Sequence, residues 1–327
     1  MEQYIPPFLI NEKMLELVAE IMEKLGSISN INNLEKMPRL VRSNRIKSVH
    51  SSLAIENNTL SLQQVSDILN GKRVHGPENE IREVKNTLRA YQELEKINPL
   101  SVKDLLKIHK IMLENLISKS GKFRNGDVGV FLGTKIIHTA PPAKMVNELV
   151  YNLFSWIKNS KVHPLIKSSI FHYEFEFIHP FEDGNGRMGR FWQVALLSKW
   201  KPLFAFVPIE SIIFSRQEEY YNALANSNKK ANSNDFIIFM LETILQAVSN
   251  IKEDAFNHTN HLNERVRKLL IALGDYQMSA TELLIALNLK SRETLRENYI
   301  NPAHEAGLIG LTISDKPTSK NQKYYKK

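Results

Sequence analysis

The spacing of apolar residues follows the helical period along most of the chain, whereas runs with the alternation of a β-strand are few. In residues 11–25, the side chains of Leu15, Val18, Met22 and Leu25 fall on one helix face, and we expect that face to be buried. Serines that stand three positions before an acidic residue or a glutamine predict further helix starts, namely Ser61, Ser101, Ser215 and Ser279. The pattern therefore predicts a mainly α-helical protein.

Residues 121–140 break this helical pattern. Glycines there bound short runs of β-branched residues, which predicts a β-hairpin with its turn near residues 132–135. Two polar stretches predict connections: 226–234 is expected to be a loop between helices, and 256–261 a link to a separate C-terminal unit.

The C-terminal unit, residues 262–327, has a pattern of its own. A helix-like segment at 262–273 is followed by a capped helix after Ser279 and a second capped helix after Ser291. The stretches 308–313 and 323–326 then predict two paired strands. This order is typical of a small winged-helix domain.

Composition limits the classes of protein that the chain can represent. With 327 residues and 43% hydrophobic content, the chain can bury one or two cores, and the absence of cysteine excludes disulfides and thiolate metal sites. Residues 1–7 lack the basic and apolar start of a signal peptide, and the richest apolar run, 236–248, contains Glu242 and is too short for a bilayer. We expect a cytoplasmic protein without membrane association.

Candidate catalytic and ligand-binding residues are most concentrated in residues 179–190, which read His-Pro-Phe-Glu-Asp-Gly-Asn-Gly-Arg-Met-Gly-Arg. Gly184 and Gly186 allow a turn whose N–H groups bind an anion, and the helix predicted over 188–200 would add its N-terminal dipole. Arg187 and Arg190, three positions apart, would share a helix face and hold polyphosphate oxygens.

Two further side chains complete a predicted site for a nucleotide. The imidazole of His179 suits a general base near neutral pH, and the carboxylate of Asp183 suits Mg²⁺ bound between phosphates. Together these residues predict a nucleotide site beside a general base.

This segment resembles the signature of Fic (filamentation-induced-by-cAMP) domains: His-Pro-Phe, two variable residues of which the second is usually Asp or Glu, Gly-Asn-Gly-Arg, two residues and Arg. Every fixed position matches, and the resemblance extends through 163–165 and 172–175 to cover roughly residues 40–255. In such proteins, a histidine deprotonates a hydroxyl of a target protein, the hydroxyl attacks the α-phosphate of ATP, and AMP stays on the target while pyrophosphate leaves. The resemblance implies ATP and Mg²⁺ as ligands.

The resemblance also implies a role for each residue of the segment. His179 would be the base, Asp183 the Mg²⁺ ligand and Phe181 a buried anchor. The polyphosphate would be held by Gly184, Asn185, Gly186, Arg187 and Arg190.

A second motif lies upstream, where Ser52, three residues, Glu56 and Asn57 match the family's inhibitory motif. The resemblance implies that Glu56, at the end of a helix at about 41–57, pairs with the Arg190 guanidinium intended for the γ-phosphate, so that ATP cannot align for attack. Inhibition would be intramolecular, because motif and core share one chain. Some relatives use this glutamate to align a water that removes AMP, so the reverse hydrolysis is an alternative.

The expected fold is a Fic-type helical bundle with a β-hairpin flap and a small C-terminal winged-helix domain. By resemblance, the flap at about 121–140 would pair its backbone with an extended segment of the target, through Val128, Gly129, Val130 and Phe131. We expect an N-terminal helical region over 1–100, a core over 101–255 and the winged helix over 262–327.

The partners of the C-terminal unit stay open at this point. From residue 262 onward there are eleven Lys and Arg against seven Asp and Glu, so this unit carries four of the net charge of +8. Arg292 and Arg296 suit phosphate contacts on DNA, but Glu293, Glu297 and Glu305 weaken the positive field. Winged helices also dock proteins, and a homodimer is an alternative.

Functions of different classes compete. The first is an autoinhibited protein adenylyltransferase that modifies a Ser, Thr or Tyr hydroxyl of a target protein or of itself. The second is a DNA-binding regulator whose core only senses nucleotide, although the intact His179 argues against a degenerate sensor. A third is transfer of phosphate or phosphocholine; phosphate transfer goes with a changed glycine turn in the Doc branch, and the unmodified turn here favours AMP.

Overall fold

The computed structural model describes the backbone of residues 4–29, 38–132, 135–305, 308–313, 319 and 321–326. Side chains are described for the same residues except 28–29, 38–39, 130–138 and 252–263. The chain forms two compact units, residues 1–251 and 252–327. The predicted N-terminal region and core therefore lie together in one unit.

Helices make up most of the first unit, as the periodicity predicted. They are α1 (Glu12–Ser29), α2 (Pro38–Ala54), α3 (Leu62–Leu69), α4 (Glu78–Gln92), α5 (Val102–Met112), α6 (Val146–Asn159), α7 (Pro164–Ile178), α8 (Asn185–Trp200), α9 (Ile209–Ser215), α10 (Gln217–Lys230) and α11 (Asn234–Leu273), the last of which continues into the second unit. Short 3₁₀ helices cover Ala143–Met145 and Pro202–Phe206.

Strands β1 (Gly129–Leu132) and β2 (Lys135–Thr139) pair antiparallel, with Gly129 opposite Thr139 and a bulge between Val130 and Phe131. The predicted hairpin is thus present, and the two residues at its turn, 133–134, lie outside the described residues. It lies between α5 and α6 in the chain.

The centre of the first unit is the packing of α7 against α8. Phe171, Phe175, Phe191 and Trp192 are fully buried there, and the indole N–H of Trp192 donates to the carbonyl of Pro99 at 3.0 Å. Burial of an apolar or aromatic side chain of this size stabilises the fold by about 1.5–3 kcal/mol. The aromatic core fixes the two helices whose connection holds residues 179–184.

The predicted face of α1 is wrong except at Leu25. Its buried side chains are Met14, Leu17, Ile21 and Leu25, whereas Leu15 is 58% exposed. The helix carries apolar residues of its own around much of its circumference, so several apolar stripes fit the 3.6-residue period. The sequence could not select the stripe that faces the core.

Two predicted helix boundaries are also wrong. Ser215 does not cap α10; it lies in the last turn of α9, where its hydroxyl donates back to the Ile212 carbonyl at 2.9 Å, since only Arg216 separates the two helices. The polar stretch 226–234 is helical to Lys230, where Ala231 at φ 47° ends the helix. By contrast, the caps at Ser61 and Ser101 are present.

The second unit contains the end of α11 followed by α12 (Ala280–Ala286), α13 (Arg292–Leu295), a π-helical turn (Arg296–Ile300) and α14 (Asn301–Glu305). Strands β3 (Met278–Ser279), β4 (Ile309–Leu311) and β5 (Lys323–Lys326) form an antiparallel sheet with β5 in the middle. Ser279 and Ser291 cap the helices as predicted. The expected link at 256–261 is part of α11, so polar composition there marks a helix and not a loop.

The core of this unit is small and apolar. Its fully buried members include Leu269, Leu273, Leu283 and Ile309, which come from α11, α12 and β4. The element order is the one expected, while the winged-helix assignment itself stays a prediction. Among the described residues, no helix is both long and apolar enough to cross a membrane.

Candidate active site

The turn between α7 and α8 brings the predicted site residues together. α7 ends at Ile178, and His179 takes the left-handed conformation (φ 49°, ψ 62°) while its N–H donates to the Phe175 carbonyl at 2.9 Å. A non-glycine residue at positive φ is uncommon, and such conformations cluster at functional sites. Gly184, at φ 80°, then occupies the N-cap position before α8.

Asn185 shapes this turn from inside. Its side-chain oxygen accepts from the N–H of Phe181 at 2.8 Å, and its amide nitrogen donates to the Phe181 carbonyl at 3.0 Å. Both residues are buried, so Phe181 is the anchor that was expected. The Asn185 side chain thus fixes the path of the backbone around the glycine turn.

The carboxylate of Glu56 lies directly against Gly186. A Cβ atom added to Gly186 would be 2.3 Å from Oε1 of Glu56 and 3.0 Å from Nη1 of Arg190, so only glycine leaves room for this contact. The first turn of a helix presents unpaired N–H groups and the positive end of the dipole, which attract anions. Here the anion at the start of α8 is a side chain of the same protein.

Arg190 is bound by two residues of the upstream motif, Ser52 and Glu56. Its Nη2 donates to Oε1 of Glu56 at 2.6 Å and to the carbonyl of Ser52 at 3.0 Å, and its Nε donates to Oγ of Ser52 at 3.2 Å. The guanidinium is 1% exposed. Burial lowers the pKa of Arg190, but Glu56, Tyr220 and Glu176 together more than offset this, with Glu56 contributing most, and the pKa is raised above its ordinary value.

Helix α2, which carries Ser52, is fastened by buried polar contacts. Ser48 donates to Glu210 at 2.8 Å, and the hydroxyl of Tyr91 donates to the other oxygen of the same carboxylate. Asn44 donates to the Phe206 carbonyl at 3.1 Å. The helix ends at Ala54, so Glu56 lies on the turn that follows it.

Arg187 and Asp183 form the other half of the site. Nη2 of Arg187 lies 3.1 Å from each carboxylate oxygen of Asp183, and Nη1 donates to Oε1 of Glu83 at 2.8 Å. The Asp183 side chain is 53% exposed beside the glycine turn, whereas that of Arg187 is 4% exposed. One open carboxylate beside the N-terminus of α8 would suit Mg²⁺, which takes few protein ligands, although the described residues contain no cluster of three or more metal-binding side chains.

His109 is a part of this site that sequence reasoning missed. Its ring stacks on Phe181 at 3.7 Å between centroids, and its Nδ1 accepts from the Gly121 N–H at 2.7 Å. Nε2 must therefore carry the proton, and it donates to the Asp183 carbonyl at 3.1 Å. Burial lowers the pKa of His109 to about 4, so the ring stays neutral near pH 7 and holds the backbone of Asp183.

Arg124 is the second missed residue. Its side chain donates to the carbonyls of His179 (2.8 Å), Gly126 (2.9 Å) and Ile178 (3.3 Å), and its own N–H donates to the Pro180 carbonyl at 2.9 Å. One buried guanidinium therefore links the end of α7 to the segment that enters the hairpin. In the sequence, Arg124 stands between Gly121 and Gly126 and belongs to no motif that would indicate a role in the site.

The hairpin adjoins this link. Val128 and Gly129 are half-buried, and the Val128 carbonyl accepts from the N–H of Ala140 at 3.3 Å. The side chains of Val130 and Phe131, which were expected to contact a target, lie outside the described residues.

The chain is similar to known proteins in both sequence and fold. Residues 99–197 match the Fic/DOC family, and residues 264–325 match the C-terminal domain of filamentation-induced-by-cAMP Fic-like proteins. A Fic family protein of known structure from Desulfovibrio desulfuricans G20 is 43% identical, covers 99% of this chain and 98% of its own, and superposes with a TM-score of 0.75. The chain belongs to the Fic family.

Curated relatives of this Fic protein bear names of enzymes. The Protein adenylyltransferase Fic of Aedes aegypti is 28% identical over 232 residues, which are 67% of this chain and 44% of that protein. A probable protein adenylyltransferase of Aquifex aeolicus is 27% identical over 275 residues, 81% of this chain and 75% of that one. The chain spans about half the length of the animal relatives that it matches.

Fic-1 of Caenorhabditis elegans, residues 134–508, shares the fold with a TM-score of 0.61 at 22% identity. The expected mainly α, Fic-type fold is confirmed.

Proposed function

We propose that this Fic protein is an autoinhibited protein adenylyltransferase, which transfers AMP from ATP to a hydroxyl side chain of a target protein. The observation that carries the proposal is the Glu56 carboxylate, bound to Arg190 at 2.6 Å and seated on Gly186 at the start of α8. A carboxylate held at a helix N-terminus beside a buried arginine marks the position of a displaceable anion. The terminal phosphate of ATP is the anion that fits an adenylyltransferase.

His179 carries the chemistry in this proposal. Its imidazole takes the proton of the incoming hydroxyl, the oxygen forms a bond to the α-phosphorus, and the bond from that phosphorus to the bridging oxygen breaks. AMP stays on the target and pyrophosphate leaves. Because Arg124 binds the His179 carbonyl and Asn185 fixes the following turn, the backbone that carries the base is held in one place before ATP binds.

The leaving pyrophosphate is stabilised by fixed donors. The N–H groups at the start of α8 and the guanidinium of Arg187 lie beside the glycine turn, and Arg190 joins them once Glu56 moves away. Asp183 would hold Mg²⁺, which when bound neutralises phosphate charge.

Inhibition follows from the same contacts. While Glu56 occupies Arg190, the γ-phosphate has no partner there and would meet a carboxylate of like charge. The turn that bears Glu56 lies beyond the anchored part of α2, so the side chain can leave while the helix stays in place. Inhibition is therefore a local exchange of one anion for another.

The hairpin would present the target. Within the described part of the chain β1 pairs with β2 alone, so its other edge would pair with an extended segment of the target, a mode that reads main chain and tolerates many sequences. The target hydroxyl would be that of a Ser, Thr or Tyr, either on another protein or on this chain itself. For the C-terminal unit, a winged-helix function on DNA or protein stays a proposal, supported by its basic charge.

Labelled ATP tests the proposal. We expect the Glu56→Gly variant to incorporate label from ATP carrying it at the α-phosphate, and not from ATP carrying it at the γ-phosphate. His179→Ala in the same background should abolish incorporation. Label from the γ-position would indicate phosphate transfer, incorporation without His179 would remove the assigned base, and ATP binding without any transfer would favour a nucleotide sensor.

A further inference from the structure

Helix α4 places a third carboxylate at the phosphate site, in addition to those of Glu56 and Asp183. Glu83 lies near the middle of this helix, and its Oε1 accepts from Nη1 of Arg187 at 2.8 Å. Its Oε2 accepts from the side-chain amide of Asn58 at 2.9 Å. Both oxygens of Glu83 are therefore engaged, one by the arginine and one by the turn that follows Glu56.

The two edges of the Arg187 guanidinium have different surroundings. Nη1 faces Glu83, whose side chain is 22% exposed, while Nη2 faces Asp183, whose side chain is 53% exposed. Nε of Arg187 is buried and makes no hydrogen bond to the residues that the structure describes. The orientation of the planar group thus depends on its two terminal nitrogens.

Glu83 differs from Glu56 in the property that matters for inhibition. Glu56 lies on a short turn and against Gly186, in the space that a phosphate would need. Glu83 comes from the interior of a helix whose Val84, Leu88 and Tyr91 are buried, and its second oxygen is bound to the buried Asn58. Such a carboxylate is fixed by the fold and is poorly suited to leave.

We infer that Glu83 is a positioning residue for ATP binding, which holds Arg187 so that its Nη2 edge faces Asp183 and the polyphosphate. The inference rests on the proposed function and deepens it. Preorganised donors bind phosphate without a cost of reorientation, and Glu83 supplies that order from a rigid helix. The hydrogen bond from Asn58 to Glu83 also connects Glu83 to the turn that carries the inhibitory Glu56.

The test measures binding and does not require turnover. Calorimetric titration with Mg-ATP would use the full-length Glu56→Gly, His179→Ala double variant as the parent. Adding Glu83→Ala should raise the Kd for Mg-ATP about tenfold or more, the usual effect of losing a group that orients a ligand-binding side chain. Glu83→Gln should have a smaller effect, because its amide oxygen still accepts from Arg187. Adenosine, which lacks phosphates, should bind parent and variants alike.

Glu78→Gln is the matched control. Glu78 also pairs with an arginine, Arg82 at 2.7 Å, on the same helix, but its side chain is 85% exposed. It should leave the Kd unchanged. An unchanged Kd in Glu83→Ala would overturn the inference, and tighter binding would make Glu83 a second inhibitor. Equal loss of adenosine and ATP would make its role merely structural. A parent that binds no Mg-ATP would overturn the proposed function itself.

Discussion

The carboxylate of Glu56 accepts a 2.6 Å hydrogen bond from Nη2 of Arg190, across 134 residues of sequence. The arginine is almost fully buried, while the glutamate is 34% exposed. The pair therefore has one fixed partner and one that solvent can reach. This asymmetry is what an exchange of Glu56 for a phosphate requires.

The first prediction concerns the fixed partner. Arg190→Ala removes the group that Glu56 binds, but it also removes the donor that we propose for ATP, so it should not imitate Glu56→Gly. Calorimetry should find Mg-ATP binding in Arg190→Ala weaker than in Glu56→Gly by about tenfold or more, since a hydrogen bond to a charged group contributes about 1.5–3 kcal/mol. If both variants bind Mg-ATP equally well, Arg190 does not contact the polyphosphate.

A second prediction concerns Arg124. Its loss frees the carbonyls of Ile178, His179 and Gly126 and loosens the link between the base and the hairpin. In the Glu56→Gly background, Arg124→Ala should reduce the rate of AMP transfer by about tenfold or more while the Kd for Mg-ATP changes little, because misplacement of a reacting group costs rate.

Lys122→Ala provides the control for that experiment, since Lys122 is an exposed cation two residues away. It should leave the transfer rate as it is. A loss of ATP binding as large as the loss of rate in Arg124→Ala would contradict a role confined to the base and the hairpin.

A third prediction concerns the pH dependence of stability. The Glu176 side chain is 12% exposed and lies 3.8 Å from the ring of His172. Burial raises the pKa of Glu176 to about 8, the nearby charge of Arg190 lowers it, and the charge of Glu56 raises it further. A carboxyl with a raised folded-state pKa binds more protons in the folded than in the unfolded protein. Its contribution to stability is therefore greatest below pH 4.5 and falls as pH rises to about 8.

Glu176→Gln should remove this dependence. At pH 8.5 its melting temperature should exceed that of the wild type by at least roughly 2–4 °C, because about 1 kcal/mol produces that change in a domain of 150–250 residues and each unit of the shift in pKa corresponds to about 1.4 kcal/mol. At pH 5 the two proteins should differ little. The same substitution at the exposed Glu148 should have no effect at either pH, and a difference that does not depend on pH would argue against titration of Glu176.

The sequence predicted the candidate site best where the site residues follow one another closely in the chain. Residues 179–190 form one short segment with a fixed spacing, so the glycine turn, its place at a helix N-terminus and the buried Phe181 could be predicted. The helix itself begins at Asn185, three residues before the expected start at 188. Glu56 was also found, because a short motif surrounds it. Glu83 and Arg124 were not found, since they reach Arg187 and His179 over 104 and 55 residues and only the tertiary fold brings them there.

The wrong predictions of a buried helix face and of helix ends have a similar cause. In α1, more than one apolar stripe satisfied the helical period, and only packing selected Met14 and Leu17 over Leu15. At Ser215, the serine pattern of a cap was present, but the hydroxyl bonds to its own preceding turn. Local pattern predicts which segments are helical, whereas neighbours in space decide where helices end and which side faces inward.

The most direct test of the account compares the initial rates of AMP transfer by the wild type and Glu56→Gly at equal concentrations of Mg-ATP. The charge-assisted bond to Arg190 corresponds to about 1.5–3 kcal/mol, so the variant should be faster by about tenfold to a hundredfold. A wild-type protein that transfers AMP as fast as the variant would contradict the claim that Glu56 closes the site.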